Sequence, residues 1–201
     1  AKKNSLLADL YNEMRRIRTF EERVGELFVR GQSAGSMLHL SIGEESAAVG
    51  VATHMRDGDT FTTHHRGHGI FLARGADPAR MMAEIAGKDA GYCAGKGGSM
   101  HMFSKEKDFY GGHGIVGAQM PLGTGIAFAM KYKENGNVCM AYCGDGAINQ
   151  GQVYEAFNMA ALWNLPVVYV IENNKYGMGT SVERSSASGA DLHNRGKAYG
   201  I

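Results

Sequence analysis

At 201 residues, with 44% hydrophobic content and a formal net charge of +1, the chain is long enough to bury one substantial core. That near balance of charge makes no electrostatic case for nucleic acid or an anionic membrane, and the basic run "MRRIR" at 14–18 reads as a solvated helix face. No apolar run approaches a membrane span and no signal-peptide pattern opens the chain; the three cysteines (Cys93, Cys139, Cys143) lack metal-site spacing, and Cys139 and Cys143, flanking a predicted strand, read as buried thiols in a reducing compartment.

Apolar Leu6, Leu10, Met14, Ile17, Val24 and Leu27 recur at helical spacing, which predicts a helix over 5–30 ending at Gly31. "SIGEESAAVGVA" opens a second helix, with Ser41 and Glu44 spaced as a capping box. "DGDTFTTHH" reads as a turn and a short strand. "DPARMMAEIAG" reads as a compact helix with Asp77 as N-cap, Pro78 at the first helical position and Gly87 at its end. Residues 88–116 show no period and hold many of the 29 glycines, so they are expected to form a long functional loop.

"QMPLGTGIAFAMKYK" is a helix carrying small residues, Gly123, Gly125, Ala127 and Ala129, an arrangement that suits close packing of another helix. A strand at 138–142, a helix from Gln152 to Trp163 and a strand at 167–171 then make a crossover unit with parallel strands. Both strands are nearly continuous apolar runs, as expected when helices cover both sheet faces. The fold class is therefore α/β, an open parallel sheet with helices on both faces, in a single domain over 1–201 with an N-terminal helical extension. The chain stops at "KAYGI", where another apolar strand could start, which leaves room for a C-terminally incomplete fold.

Ligands of open parallel sheets sit outside the carboxyl ends of the strands. Asp145 in "CGDGAINQG" follows one strand, and Asn173 and Asn174 in "VIENNKYGMG" follow the next. Neighbouring strand ends lie about 5 Å apart, so oxygens from both loops can meet one cation. One carboxylate with a neutral amide suits magnesium shared with a diphosphate, whereas calcium would call for more acids and zinc for histidine or cysteine. Gly144 and Gly146 let backbone approach the phosphates ahead of a helix N-terminus. "DG" as a plain hairpin turn is the structural alternative, but it needs an antiparallel strand where "QVYEAFNMAALW" is helical. "GHGIVG" at 112–117 has the glycine spacing of a dinucleotide fingerprint without the preceding strand or the following acid, which argues against NAD. "THHRGHG" at 63–69 offers His64, His65 and His68 to zinc. Arg66 in its midst repels a cation and suits phosphate oxygens.

G-D-G at 144–146 and N-N at 173–174, separated by residues 147–172, resemble the thiamine-diphosphate motif. With the surrounding "GDGAINQGQVYEAFNMAALWNLPVVYVIENNKYGMGTSVERSSAS", the chain from about residue 10 onward resembles the alpha subunits of thiamine-diphosphate-dependent 2-oxo-acid dehydrogenases, the pyruvate-decarboxylating component above all. The resemblance implies that Asp145, Asn174 and the carbonyl of Tyr176 hold Mg2+, and that Gly146 and Ala147 touch the diphosphate. It further implies that Gly114 and Val116 meet the aminopyrimidine side, that Arg66 binds the diphosphate, and that Ser104 makes a further cofactor contact. His65 stands where the family usually has tyrosine. His39 would contact the 2-oxo acid. Ser181 lies where mitochondrial relatives carry a regulatory phosphorylation site, although an ordinary loop serine explains it as well, and His68 is open between a ligand and a structural histidine. The implied partners are a beta subunit supplying the activating glutamate, in an assembly of two alpha and two beta chains, and a lipoyl-bearing acyltransferase. The implied location is a bacterial cytoplasm or a mitochondrial matrix. An acetoin or branched-chain 2-oxo-acid dehydrogenase alpha subunit and a non-catalytic cofactor-binding module are the alternatives. A magnesium-dependent phosphohydrolase is disfavoured for want of a second acid beside Asp145.

Overall fold

A computed structural model describes residues 2–189 and 191–201. The chain forms two compact units, one made of the residues up to Met55 with His65–Gly112, the other of Arg56–His64 with His113–Ile201. Among the described residues no helix is long and apolar enough to cross a membrane.

The first unit is helical. Helix α1 (Lys2–Val29) packs against α2 (Glu45–Ala52), α3 (His68–Ala73) and α4 (Pro78–Ile85). Only the second half of its apolar stripe does this work: Ile17, Phe20 and Val24 are buried, while Leu6, Leu7 and Tyr11 are exposed. The helices it packs against bury Val49 of α2, Ile70, Phe71 and Leu72 of α3, and Met81 and Ile85 of α4. Asp77 caps α4 as expected, its carboxylate accepting from Ala79 N at 2.8 Å, with Pro78 opening the helix. The expected capping box on α2 is not formed. The Ser41 hydroxyl donates to the Arg66 carbonyl at 2.8 Å and accepts from Gly69 N, so it is committed to another segment, and Glu44 takes the N-cap position without a side-chain capping bond.

The glycine-rich stretch after α4 is not an unorganised loop. The Glu84 carboxylate, fully buried at the end of α4, accepts four backbone N–H groups: Cys93 at 2.7 Å and Gly95 at 2.9 Å on one oxygen, Gly97 at 2.7 Å and Gly98 at 3.1 Å on the other. Gly97 has no room for a side chain, since a Cβ there would lie 2.6 Å from the His101 carbonyl oxygen. Further on, a 3-10 turn (Lys105–Lys107) precedes strand β2 (Phe109–His113), which carries the chain from the first unit into the second. This strand was hidden in the sequence by its paired glycines.

In the second unit, β1 (Thr60–His64), β3 (Cys139–Gly144) and β4 (Val167–Glu172) lie side by side in that order, all parallel, with Thr62 opposite Ala141 and Gly144 opposite Glu172. The expected open parallel α/β arrangement is present. Helices α5 (Gln119–Tyr132) and α6 (Gly151–Leu162) pack on the face bearing Cys139, Ala141 and Cys143. Phe61 and Tyr142, of opposite parity, are fully buried as well. The small residues of α5 divide in two, which revises the helix-packing expectation. A Cβ on Gly123 would lie 2.7 Å from that of Ala141, and Ala127 is buried beside Cys139, so these two serve contact with the sheet; Gly125 and Ala129 are exposed.

Past β4 the chain forms a two-residue hairpin, β5 (Tyr176–Gly177) with β6 (Thr180–Ser181), a short α7 (Val182–Ser185) and a run of 3-10 turns over Leu192–Tyr199. The expected start of another strand at "KAYGI" is therefore not seen. Val182 and Leu192 from this segment join Ala147, Ile148, Val153 and Phe157 in one core cluster.

Candidate functional site

β3 ends at Gly144, and the next residue, Asp145, is only 4% exposed. No hydrogen bond to its carboxylate is found among the described residues. Its oxygens are not among the buried side-chain atoms left without a partner, so they keep contact with water and are open to a cation. The chain then turns through a 3-10 segment (Ala147–Asn149) into α6, so no antiparallel arm follows and the hairpin reading of "DG" is excluded. Because Gly144 pairs in register with Glu172, the Asp145 loop and the Asn173–Asn174 loop leave adjacent strands at the same level. Both asparagines form Asx turns: Asn173 Oδ1 accepts from Lys175 N and Asn174 Oδ1 from Tyr176 N, each at 3.1 Å. The β5–β6 hairpin lies against the Asp145 loop, where a Cβ on Gly146 would stand 3.8 Å from Gly177 Cα.

His64, which the sequence offered to zinc, has a partner in this unit that the sequence did not point to. His64 Nε2 and Glu172 Oε2 lie 2.5 Å apart, both side chains buried, joining the carboxyl ends of β1 and β4 across β3. Only the strand-end position of each hinted at this. Cys143, buried on β3, has its thiol pushed up to about 12 by burial and by the charges of Glu172 and Asp145, and burial pushes Cys139 to about 11. Both are inert buried thiols, as expected. Gly114 and Val116 lie in the turn before α5. Val116 is exposed, and its carbonyl accepts from Gln152 Nε2 at 3.4 Å.

In the first unit, the His39 and His65 rings meet edge-on with centroids 4.5 Å apart. Burial first, then the charges of Arg66 and His68, lower the pKa of His39 and favour its neutral form. Arg66 Nη1 donates to the Leu40 carbonyl at 2.6 Å, which fixes the guanidinium beside His39 in the chain. Ser104 is buried and exchanges backbone hydrogen bonds with Phe109 around the 3-10 turn.

His68 is a structural histidine. It is fully buried, with Nδ1 3.0 Å from Glu21 Oε1 and Nε2 3.0 Å from the Ser99 carbonyl oxygen. Burial alone would lower its pKa; the Glu21 charge, its hydrogen bond and the Ser99 carbonyl outweigh burial and raise it. An imidazolium donating from both nitrogens has none to offer zinc, which removes His68 from the histidine-cluster reading.

The sequence family described as "Dehydrogenase E1 component" matches residues 12–201. The chain is 57% identical over 191 residues to a pyruvate dehydrogenase E1 component subunit alpha of Rhizobium meliloti (strain 1021), covering 95% of this chain and 54% of that protein. It is 55% identical over 196 residues to the same-named subunit of Zymomonas mobilis, covering 97% of this chain and 55% of that one. A mitochondrial counterpart in Dictyostelium discoideum is 51% identical over 190 residues, covering 94% of this chain and 49% of that protein. The chain thus spans about half the length of the curated relatives it matches. With the motif pair on adjacent parallel strand ends and a family match over nearly all its residues, the chain belongs to the dehydrogenase E1 component family.

Proposed function

We propose that this chain is part of the alpha subunit of a pyruvate dehydrogenase that decarboxylates pyruvate and passes the acetyl unit to a lipoyl group, using thiamine diphosphate and Mg2+. The observation that carries the reading is Asp145, little exposed and directly after β3, whose last residue pairs in register with the end of the strand that leads into Asn173–Asn174. That donor set suits magnesium: one carboxylate, one amide oxygen and a backbone carbonyl leave the remaining positions to diphosphate oxygens and water. Asp145, Asn174 and the Tyr176 carbonyl are the proposed metal ligands, and Gly146 and Ala147 the proposed diphosphate contacts. Gly114 and Val116 are assigned the aminopyrimidine side, and Ser104 and His65 further cofactor contacts. Arg66 has the planar fork suited to phosphate oxygens.

The chemistry supplied by bound thiamine diphosphate is a nucleophilic carbon and an electron sink for the pair released with carbon dioxide. What this chain contributes is binding and orientation. His39, held toward the neutral form, presents an N–H to the carboxylate of the 2-oxo acid and orients it without an ion pair.

The partners proposed are a beta chain supplying the glutamate that activates the cofactor, in an assembly of two alpha and two beta chains, and a lipoyl-bearing acyltransferase. The exposed Phe128 and Tyr132 of α5 and Leu162 of α6 give the second unit an apolar surface of the kind that protein partners cover. Calorimetric titration of thiamine diphosphate into the intact protein tests the reading. Binding should require a divalent ion, be largely lost in Asp145→Ala, and weaken in Arg66→Lys. Binding of equal strength without any divalent ion would refute the shared-cation site.

A further inference from the structure

Arg195 lies in the C-terminal 3-10 run and is engaged by three separate stretches of the second unit. Its Nη1 donates to Asn149 Oδ1 and to the Tyr154 hydroxyl, each at 2.7 Å, with a longer contact of 3.4 Å to the Ile148 carbonyl. Its Nε donates to the Ser188 hydroxyl at 3.0 Å, and Nη2 donates to the Ser186 hydroxyl. All five acceptors are uncharged, and no carboxylate pairs with this guanidinium among the described residues. A half-buried cation without a counter-ion contributes little as a charge. Its contribution is geometric, because a planar donor fork can hold three chain segments at fixed angles.

The segment it holds is the turn directly after Asp145. That turn is maintained on its own by only two short-range bonds, Asn149 N to the Gly146 carbonyl at 3.3 Å and Gln150 N to the Ala147 carbonyl at 3.0 Å. Val182 and Leu192, before Arg195, share a core cluster with Ala147 and Ile148, and Tyr199, after it, packs against that cluster, so chain on both sides of Arg195 joins the core beneath the turn. We infer that Arg195 is a positioning residue that fixes the 146–150 turn in the conformation its diphosphate contacts require. The last clause rests on the function proposed above; the tie between Arg195 and the turn does not.

Hydrogen exchange in the intact protein, without added cofactor, tests the tie directly. Arg195→Ala and Arg195→Lys should both speed exchange at the Asn149 and Gln150 amides by about tenfold or more while the Tyr142 and Tyr169 amides of β3 and β4 stay within about twofold. Millimolar methylguanidinium should restore protection in Arg195→Ala, and lysine, a point charge, should not substitute. Unchanged protection at 149–150, or loss spread equally to β3 and β4, would overturn the inference. Titration of thiamine diphosphate with magnesium separates the two layers. If the parent binds but the variants lose protection without losing affinity, the role toward the ligand is refuted. If the parent does not bind, the proposed function falls, and exchange alone still decides whether Arg195 holds the turn.

Discussion

Replacing Glu84 by glutamine keeps size and shape but turns one acceptor oxygen into an NH2 group. The native carboxylate takes two N–H groups on each oxygen, so either orientation of the amide leaves two of them facing a donor: Cys93 and Gly95, or Gly97 and Gly98. A donor that loses its acceptor in a buried place costs about 1–3 kcal/mol, which gives about 2–6 kcal/mol for the pair. The loop backbone is only part-buried, so water recovers some of this, and the lower part of the range, about 2–4 kcal/mol, is expected. For a protein of this size that corresponds to a melting temperature lower by about 4–16 °C. Urea unfolding of parent and variant in the intact protein measures the difference, and limited proteolysis should show new cleavage within 93–98. A loss below about 0.5 kcal/mol, the level of an ordinary surface substitution, would refute the claim that this carboxylate organises the loop.

Gly123→Ala should destabilise by about 1–3 kcal/mol, because its Cβ would come within 2.7 Å of the Ala141 Cβ; a neutral result in thermal melting would mean that α5 can move off the sheet. Glu21→Gln should matter more in acid than in base. The folded pKa of His68 is raised, so the stability from this pair is fully present below the unfolded value of about 6.5 and is lost as pH rises through the folded value. The gap in unfolding free energy between parent and variant should therefore shrink from pH 6 to pH 9, and a gap that widens would reverse the assignment.

What the sequence made legible was periodic or punctuated. α4 sits between Asp77–Pro78 and Gly87 as its caps demand, and the crossover from β3 through α6 to β4 follows from two apolar runs around a helical pattern. The placement of Asp145 and Asn173–Asn174 at the ends of adjacent parallel strands was legible because each follows directly on an apolar run. What escaped was long-range side-chain pairing. Glu172 meets a histidine 108 residues away, and Glu21 one 47 residues away; local spacing carries no trace of either. Ser41 shows the converse failure: its spacing to Glu44 fits a cap, but its oxygen accepts from Gly69 N instead, and its hydroxyl donates to the Arg66 carbonyl. Arg195 was invisible for a similar reason, since its five acceptors are neutral groups in ordinary-looking loops.

The anchoring of the glycine-rich stretch by Glu84 also bears on the order in which the chain folds. The four amides lie 9 to 14 residues along from the carboxylate that holds them. Closing a loop that short costs little entropy and takes on the order of 10–100 ns, so this stretch need not await the pairing of β1 with β3, whose partners stand some eighty residues apart. As soon as α4 has formed, its last turn carries a tethered anion at high effective concentration beside the amides it captures. A glycine-rich segment, with much conformational freedom to lose, is thereby ordered by a contact that needs little of the rest of the chain.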